Sequence, residues 1–407
     1  MKIILFTNSY PYGIGEMWKH HEIQILADKF DFIEIVPLYF DGNKIPKKID
    51  RNNVVFGEPL IDKSYTTLTY FDVIKTFIGR GSLTNFIELF ELLKKKVDKK
   101  KIIRFLNSAK RVRQIITNDR IKKILRLDPE NTILYFYWGV GSADILPLIK
   151  IKKFKKVVVR LHRFDLYESE NDGYIPYRKQ LMNKRITLLP CSDDGTNELT
   201  KRYPNRLANL KTQRLGVFSQ KTTSTGSNDG VLRIVSCSSL TEVKRIDKMI
   251  EAAALLSIPF EWIHIGSGVL QESLELLLDK KSIKHKFKFL GSMNSELIID
   301  YLIQGKFDLF INTSSSEGVP VSIMEALSVG IPIIATDVGG TKEIVDDSVG
   351  KLLKKHFLTK ELKEAIEDLY SLSYNEKEIL RQRAHFRFKE RCDMEKLTQE
   401  FIEVLNK

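Results

Sequence analysis

The sequence has few cysteines and no long apolar runs. Its 3 cysteines, Cys191, Cys237 and Cys392, are widely spaced and show no pairing or metal-binding pattern. A reduced, cytosolic compartment is therefore expected. No stretch approaches the roughly 18 to 20 apolar residues of a membrane-spanning helix. The first residues, MKIILFTNSYPYG, contain a four-residue apolar run, which is shorter than the ~7 to 15 residues of a signal-peptide core.

The composition is that of a soluble protein with more than one domain. The chain has 407 residues, of which 43% are hydrophobic and 29% charged. This length exceeds one ordinary domain and suits two or three. The apolar fraction is sufficient for well-packed cores.

The positive charge is concentrated in one region. The net charge is +13, and the range 94–126 holds fourteen bases against two acids, a local charge of +12. The bases alternate with apolar residues at near-helical spacing: Ile102, Leu106, Ala109, Val112 and Ile116. Such a helix can lie on an anionic membrane surface, or it can be a solvated helix that packs on its own domain. Nucleic acid is not expected as a partner, because no zinc or RNA-binding motif accompanies the bases.

Short apolar runs alternate with helical patterns, which predicts an α/β fold with parallel sheets. Ten runs have strand length and composition. They are 2–8, 32–40, 132–138, 156–162, 186–192, 231–237, 260–266, 285–291, 307–313 and 331–337. The polar, Gly- and Ser/Thr-rich segment 220–230 interrupts the alternation and is the best linker candidate. Two Rossmann-like domains facing a cleft are therefore predicted, with ligands beyond the carboxyl ends of the strands.

Two acids stand in an otherwise almost uncharged stretch, SSSEGVPVSIMEALSVG, at residues 314–330. Glu317 lies in the loop after the strand 307–313, and Glu325 lies in the helix that begins around Pro320. The backbone N–H groups of Gly318, Val319, Val321 and Ser322 occupy the helix start, a natural site for an oxygen-rich or anionic ligand. Carboxylates accept hydrogen bonds from vicinal hydroxyls, so the pattern suits a sugar or a ribose. The spacing alone also fits a loop cap and a surface helix residue.

The surrounding sequence resembles a known family. FLGSMNSELIIDYLIQGKFDLFINTSSSEGVPVSIMEALSVGIPIIATDVGGTKEIVDD, residues 289–347, resembles the nucleotide-recognition half of the GT-B glycosyltransferases, specifically the retaining family 4. Further similar segments are FEWIHIGSG (260–268), RLHRFDLY (160–167), PCSDDGTNELTKRYP (190–204), QRLGV (213–217) and YPYGIGEMWKHHE (10–22). The resemblance covers most of the chain except roughly 40–130.

The resemblance implies a role for each matching residue. Glu325 would hold the ribose hydroxyls of a nucleotide, and Glu317 the donor sugar. His162 would face that sugar from the first domain and act as a catalytic residue with Glu317, either by stabilising charge at the reacting carbon or by orienting a hydroxyl. Asp165 would hold its own loop together. Gly13 and Gly15 would let the first loop approach the phosphates or the acceptor, although a plain tight turn fits them as well. Gly266 and Gly291 would form turns beside the donor.

One position departs from the family pattern. An Arg and a Lys, five residues apart, usually bind the donor diphosphate, but here Ser239 stands at the Arg position. Lys244 stands at the Lys position and Arg245 where a Gly is common. Positive groups aimed at a developing charge contribute several kcal/mol to catalysis. Lys244 is expected to carry this role, with Arg245 or another residue compensating for Ser239.

The sequence thus implies a retaining glycosyltransferase that uses a UDP- or GDP-sugar and no obligatory metal or other cofactor. Residues 1–215 would bind a saccharide or polyprenyl-linked acceptor, and residues 216–389 the donor. A helix at about 390–407 can pack back on the first domain. The expected place is the inner face of the cytoplasmic membrane, reached through 94–126, in surface polysaccharide synthesis.

Two alternatives remain open at this stage. One is another two-domain α/β enzyme, such as a sugar-nucleotide epimerase; a dinucleotide oxidoreductase is disfavoured because the first loop lacks a full G-x-G-x-x-G pattern. The other is a non-catalytic scaffold that binds sugar nucleotides or membrane. This alternative remains because Ser239 replaces an arginine that usually binds the donor diphosphate.

Overall fold

The computed structural model describes residues 1–12, 16, 19–41, 45–61, 68–79, 81–205 and 209–407, with the backbone alone at Ser295 and Glu296. These residues form two compact units. Unit 1 comprises Met1–Cys191, Gly195–Gln213 and Thr398–Lys407, and unit 2 comprises Ser192–Asp194 and Arg214–Leu397.

Each unit contains one six-stranded sheet. The strands of unit 1 are β1 (Lys2–Thr7), β2 (Phe32–Pro37), β3 (Val54–Phe56), β4 (Thr132–Phe136), β5 (Lys156–Leu161) and β6 (Ile186–Pro190). Those of unit 2 are β7 (Leu232–Cys237), β8 (Phe260–Ile265), β9 (Phe287–Gly291), β10 (Leu309–Asn312), β11 (Ile333–Thr336) and β12 (Gly350–Leu353).

Helices follow most strands. The first eight are α1 (Lys19–Ala27), α2 (Tyr70–Thr76), α3 (Ser82–Lys94), α4 (Lys99–Thr117), α5 (Asp119–Ile124), α6 (Arg163–Leu166), α7 (Arg178–Leu181) and α8 (Asp193–Arg202). The others are α9 (Ile246–Ala253), α10 (Gln271–Lys280), α11 (Ser295–Gln304), α12 (Val321–Ser328), α13 (Thr359–Ser371), α14 (Tyr374–Arg391) and α15 (Met394–Asn406). In the described part of the chain, no helix has the length and hydropathy needed to cross a membrane.

Both sheets are parallel, and the strand order of each reverses once. The orders are β3-β2-β1-β4-β5-β6 and β12-β11-β10-β7-β8-β9. The reversal lies between β1 and β4 in unit 1 and between β7 and β10 in unit 2. Loops leaving two such neighbouring strands diverge and open a crevice at their carboxyl ends, where ligands bind in folds of this kind.

The predicted α/β architecture is confirmed, and all ten predicted strand segments contain strands. The prediction missed β3 and β12, which are short strands of 3 and 4 residues at the sheet edges. An edge strand this short buries too little surface to require a long apolar run, so its sequence has no clear strand pattern.

Apolar residues cover both faces of the unit 1 sheet. Successive strand residues point to opposite faces, so Ile4 and Phe6 join one core while Ile3 and Leu5 join the other. The second core includes Phe401 and other apolar residues of the last helix. The chain end therefore belongs to the fold of unit 1.

The linker interpretation of 220–230 is wrong for the part around Ser227, which is anchored within unit 2. Asp308 accepts hydrogen bonds from the Ser227 N–H at 2.8 Å and the Ser227 hydroxyl at 2.7 Å. It also accepts one from the Arg233 N–H at 2.8 Å. Arg381 lies 3.5 Å from the same carboxylate and donates to the Ser224 carbonyl. The composition of 220–230 suggests a flexible segment, but Asp308 and Arg381 bind its backbone and fix it to unit 2.

Replacing Asp308 with alanine should therefore destabilise unit 2. The buried Arg381 would lose the nearer of its two acidic partners, and two backbone N–H groups would lose their acceptor. The expected loss is about 2–4 kcal/mol in the free energy of unfolding, measured by urea denaturation. Asp300→Ala, at an exposed position of α11, is the matched control, and equal stability of the two variants would contradict the anchoring role.

Candidate functional site

An ion pair joins the two loops at the crevice of unit 2. Lys244 follows β7, Glu317 follows β10, and the Lys244 Nζ lies 2.6 Å from the Glu317 Oε1. Glu317 is buried and also accepts a hydrogen bond from the Asn312 Nδ2 at 3.4 Å. A buried carboxylate is costly unless it is paired, and these two donors satisfy one of its oxygens.

Hydrogen bonds between the same two loops fix the ion pair in place. The Thr313 hydroxyl donates to the carbonyl oxygens of Lys244 and Arg245, at 3.0 and 3.1 Å. The Ser315 N–H donates to the Val243 carbonyl at 2.8 Å. The loops are about 70 residues apart in sequence, and they meet because β7 and β10 are neighbours in the sheet.

A glycine pair packs against the Glu317 loop from the side of β11. The Gly340 N–H donates to the Gly318 carbonyl at 2.7 Å. Gly339 has a φ of +54°, and a Cβ there would lie 2.0 Å from the Glu317 carbonyl oxygen. Any other residue would push the Glu317 loop away, so the Gly-Gly turn positions this carboxylate.

The start of α12 presents unpaired backbone donors beside Glu317. Pro320 caps the helix with a φ of −73°. In the part of the chain that the structure describes, the N–H groups of Gly318, Val319, Val321 and Ser322 donate to no protein acceptor. These donors and the positive end of the helix dipole suit an anionic or oxygen-rich ligand.

Glu325 is partly buried and lies in α12 without a partner. Among the described residues, no hydrogen bond or ion pair holds its carboxylate, and burial raises its pKa to about 8. Burial also raises the pKa of Cys237, at the end of β7, to about 12, and the charge of Glu325 adds to that shift. A carboxyl group with a pKa of about 8 and no partner among the described residues is well suited to exchange hydrogen bonds with hydroxyls.

The loop after β7 carries Ser239, which is exposed. Gly266 packs against this loop, because a Cβ at its φ of +139° would lie 1.9 Å from the Ser238 carbonyl oxygen. The Gly266 N–H in turn donates to the Gly291 carbonyl at 2.8 Å. Ser239, Gly266 and Gly291 therefore all lie near the carboxyl ends of β7, β8 and β9.

Arg245 is engaged within the loops. Its guanidinium donates to the carbonyls of Thr313 at 2.6 Å, Ser314 at 3.0 Å and Lys355 at 2.7 Å. Its backbone has a left-handed φ of +51°, a conformation that glycine adopts at least cost. Burial lowers the pKa of this guanidinium, yet the three carbonyls keep it oriented. Arg245 thus holds the Thr313–Ser314 turn in place.

In unit 1, His162 lies directly after β5 and is buried. Its ring packs on Tyr137 and Trp138, with ring centroids 5.0 and 4.4 Å away. Neither ring nitrogen has a hydrogen-bond partner in the described structure, and burial lowers the pKa of the ring. A neutral imidazole with two unpaired nitrogens can donate one hydrogen bond and accept another.

Asp165 holds the loop of His162, as the sequence indicated. Its carboxylate accepts the His162 N–H at 2.5 Å and also accepts the Gly139 N–H. The Nδ1 of His162 lies 3.9 Å from the same carboxylate. Asp165 therefore ties the loops after β4 and β5 together and positions the His162 ring against Trp138.

A buried acid that sequence reasoning missed organises the crevice of unit 1. Glu16 accepts hydrogen bonds from the N–H groups of Ser9 and Tyr10 at 2.6 and 2.7 Å, and also from the Trp138 indole and Lys19. Burial alone would raise the pKa of Glu16, but Lys19 and these donors lower it to about 2. A Glu and a Lys three positions apart are common on any helix surface, so no sequence signal separates this pair from a solvated one.

A cavity of about 660 Å³ opens within unit 1 at the same crevice. One wall is a face of α4 that includes Lys100, Arg104, Asn107 and Arg111. The other wall includes Trp138 and Asp144. This volume lies in the range of small-molecule sites, and its charged lining favours a polar ligand.

Asp144 is an incompletely satisfied carboxylate in that cavity. Its Oδ2 accepts the Ser108 hydroxyl at 2.5 Å and the Gly141 N–H at 3.2 Å. Its Oδ1 has no partner among the described residues. Burial raises the pKa of Asp144 to about 6, although the nearby Arg111 opposes the shift. Unpaired buried acceptors are rare in proteins and indicate a place for a ligand donor.

The comparisons with known proteins find similarity to glycosyltransferases. Residues 218–386, most of unit 2, match the family model of the Glycosyl transferases group 1. The chain is 31% identical over 232 residues to the amylovoran biosynthesis glycosyltransferase AmsK of Erwinia amylovora. This alignment covers 53% of this chain and 55% of AmsK. The chain spans about half the length of the first curated relatives it matches.

Two solved structures align with essentially the whole chain. The lipopolysaccharide outer core galactosyltransferase WaaB has a TM-score of 0.66 at 14% identity, covering 100% of this chain and 99% of that one. HepE of Anabaena, solved in complex with UDP, has a TM-score of 0.65 at 15% identity, with 100% of each chain covered. The fold is GT-B.

The crevice of the second GT-B unit gathers most of the residues selected from the sequence. Glu317, Lys244 and the α12 start form one continuous group, with Glu325, Ser239, Gly266 and Gly291 around it. His162 belongs to the first unit. Gly13 and Gly15 lie outside the described residues. Within the described ranges, no group of three or more His, Cys, Asp or Glu side chains is placed to hold a metal ion.

The raised pKa of Glu325 should make the stability of the protein depend on pH. The folded chain holds this proton up to about pH 8, whereas the unfolded chain releases it near the ordinary glutamate value of 4.5. Stability from this group is therefore complete below about pH 4.5 and is lost as pH rises toward 8, by at most roughly 1.4 kcal/mol per pH unit.

Urea denaturation at pH 5.5 and 7.5 checks this expectation. Glu325→Gln should lose less stability across the interval than the wild type does. The matched control is Glu272→Gln, at an exposed position of α10, which should follow the wild type. Parallel behaviour of Glu325→Gln and the wild type would show that Glu325 is ionised throughout.

Proposed function

We propose that this chain is a retaining glycosyltransferase. It would transfer a sugar from a nucleoside-diphosphate donor to a hydroxyl of a saccharide or lipid-linked saccharide. The observation that carries this proposal is the Lys244–Glu317 pair beside the free N–H groups of α12, within the segment that matches the Glycosyl transferases group 1. AmsK, to which the chain is similar, is named as an amylovoran biosynthesis glycosyltransferase. This similarity supports a role in surface polysaccharide synthesis.

The donor is proposed to lie along the crevice of unit 2. Glu325 would hold the ribose hydroxyls, because its carboxyl group is partly buried, has no partner among the described residues and has a pKa raised to about 8. Glu317 and the N–H groups that follow it would hold the transferred sugar. UDP is the favoured nucleotide, since HepE binds UDP in a chain of the same fold.

Lys244 is proposed as the cation for the donor diphosphate. Its ammonium is partly exposed and paired with Glu317, so it can also face a ligand in the crevice. Arg245 is a weaker choice, because three backbone carbonyls already hold its guanidinium. The charge missing at Ser239 would then be replaced by the α12 N–H groups rather than by a second side chain.

His162 is proposed to orient a sugar hydroxyl. Its lowered pKa leaves the ring neutral at physiological pH, which favours hydrogen bonding over stabilisation by a full positive charge. Both ring nitrogens are unpartnered in the described structure, so a ligand hydroxyl could bond to either.

In the proposed reaction the acceptor hydroxyl oxygen bonds to the anomeric carbon on the face that the diphosphate leaves. The bond between that carbon and the diphosphate oxygen breaks, and the diphosphate takes the acceptor proton. No separate strong base is required. Lys244 and the α12 dipole would stabilise the charge that develops on the leaving group, which is the part of such a reaction most sensitive to fixed positive groups.

The acceptor is proposed to enter the cavity of unit 1. Asp144 offers an unpartnered oxygen there, Arg111 and Arg104 offer donors, and Trp138 offers an aromatic surface. Sugars bind well to such mixed linings of hydrogen-bonding groups and flat rings. The enzyme would work at the inner face of the cytoplasmic membrane, where lipid-linked saccharides are available.

The donor site is tested by thermal stabilisation and by hydrolysis of UDP- and GDP-sugars. Lys244→Ala should lower kcat/KM for release of the nucleotide about 10²–10³-fold, because it removes a cation aimed at the leaving group. Glu317→Gln should also abolish most hydrolysis while the nucleotide alone still stabilises the chain.

The control is Lys280→Ala, which removes an exposed lysine at the end of α10. It should leave both measurements unchanged. Unchanged turnover in Lys244→Ala would remove Lys244 from the mechanism. Nucleotide-sugar binding without any hydrolysis or transfer by the wild type would support the non-catalytic scaffold instead.

The acceptor cavity is tested by filling it. Asn107→Trp places a large ring in the cavity wall of α4, so transfer to saccharide acceptors should fall at least about tenfold while donor hydrolysis remains. Lys123→Trp, at an exposed position of α5, is the control. Undiminished transfer by Asn107→Trp would place the acceptor elsewhere.

A further inference from the structure

Helix α3 exposes its apolar side. Leu83, Phe86, Ile87, Phe90 and Leu93 each keep between 50% and 72% of their surface exposed. Their spacing of three and four positions places them on one face of the helix. A surface helix of a globular domain normally turns such a face toward the core.

The opposite face of α3 buries polar groups, and these fix the helix in this rotation. Asn85 is 4% exposed, accepts the Tyr177 hydroxyl at 2.6 Å and donates to the Thr76 carbonyl at 2.8 Å. Glu88 is 5% exposed and accepts the Tyr174 hydroxyl at 2.7 Å and the Gln180 amide at 2.8 Å. Turning the apolar side inward would break all four bonds, so the outward orientation is built into the fold.

Helix α2 and the residues after it extend the same exposed surface. Phe77 follows α2 and packs on Phe86 of α3, with ring centroids 4.7 Å apart, which brings the two helices together. Four further apolar residues are between 40% and 77% exposed. Together we call the nine residues the α2–α3 face: Tyr70, Phe71, Ile74, Ile78, Leu83, Phe86, Ile87, Phe90 and Leu93.

Lysines border the α2–α3 face. Five exposed lysines follow directly at the end of α3: Lys94, Lys95, Lys96, Lys99 and Lys100. Two nearby acids are neutralised within unit 1, because Asp72 pairs with Lys110 at 2.8 Å and Glu91 pairs with Lys179. The border of the apolar face is therefore strongly positive.

The basic helix α4 turns most of its apolar residues inward, although Ile103 is 52% exposed. Ala109 and Val112 are buried in the core of unit 1, and Leu106 and Ile116 pack against that core. Within 99–117, these four apolar residues therefore pack on unit 1, and membrane contact through the bases stays a prediction. The exposed apolar surface lies instead just before it, in residues 70–93.

We propose that the α2–α3 face inserts into the headgroup region of an anionic lipid bilayer, with the five lysines on the lipid phosphates. Apolar and aromatic side chains beside a lysine cluster are the combination that holds a helix in the bilayer interface. A second copy of the chain is a poorer occupant, because its matching surface carries the same lysines and so offers this positive border no anionic groups to pair with. The inference goes beyond the proposed transfer reaction and does not require it.

Vesicle flotation of the full-length chain tests the proposal. The vesicles are phosphatidylcholine alone and phosphatidylcholine with phosphatidylglycerol. The wild type should float with the anionic vesicles, and the double variant Phe86→Ser, Phe90→Ser should lose about tenfold or more of its partition, since two large apolar groups no longer leave water. Replacing Lys94, Lys95 and Lys96 with Gln should remove the preference for anionic vesicles.

The matched control is the double variant Leu276→Ser, Phe386→Ser, which changes two equally exposed apolar residues of unit 2. It should float like the wild type. Equal flotation of the Phe86, Phe90 variant would overturn the proposal. A wild-type dimer in size-exclusion chromatography that this variant dissociates, without flotation, would assign the face to a second copy.

Thermal stabilisation by UDP, measured on the same variants, separates this inference from the proposed function. Both serine variants should keep the wild-type response, because neither touches the crevice of unit 2. If UDP did not stabilise the wild type, the proposed function would be contradicted, and the flotation result would still be valid.

Discussion

The ion pair between Lys244 and Glu317 depends on the one reversal of strand order in the second sheet. Because β7 and β10 are neighbours, two loops 73 positions apart in sequence are brought to within 2.6 Å. The hydrogen bonds of Thr313, the guanidinium of Arg245 and the Gly339–Gly340 turn all hold these loops in register. A change in any of them would move the carboxylate that the proposed donor site is built around.

The first unit uses the same device with different chemistry. Its strand order reverses between β1 and β4, and there the buried Glu16 gathers backbone donors from one loop and the Trp138 indole from the other. Asp165 then ties His162 into the arrangement. Both units thus place a buried carboxylate where the strand order reverses. In unit 1 Glu16 accepts backbone N–H groups, whereas in unit 2 Glu317 accepts the Lys244 ammonium and the Asn312 amide.

The arrangement of α3 shows how polar burial can decide the orientation of a surface. Asn85 and Glu88 are satisfied inside unit 1 by Tyr174, Tyr177, Gln180 and a backbone carbonyl. The three side-chain partners come from a segment about 90 residues later in the chain, and the carbonyl is that of Thr76, so the helix sequence by itself does not reveal these bonds. Its hydrophobic pattern alone would predict the reverse.

The sequence by itself determined the α/β class, ten of the twelve strands that the described residues form, the loop position of Glu317 and the helical position of Glu325. These follow from local patterns: apolar runs of strand length, a proline at a helix start and glycines at turns. Only the tertiary structure decided that Lys244 pairs with Glu317, that Arg245 is held by carbonyls, that Glu16 is a buried hub and that Ser227 is anchored by Asp308. It also decided that α4 packs inward while α3 faces outward. Each of these depends on contacts between residues far apart in the chain, and burial and pairing are properties of such contacts rather than of the residue or its neighbours.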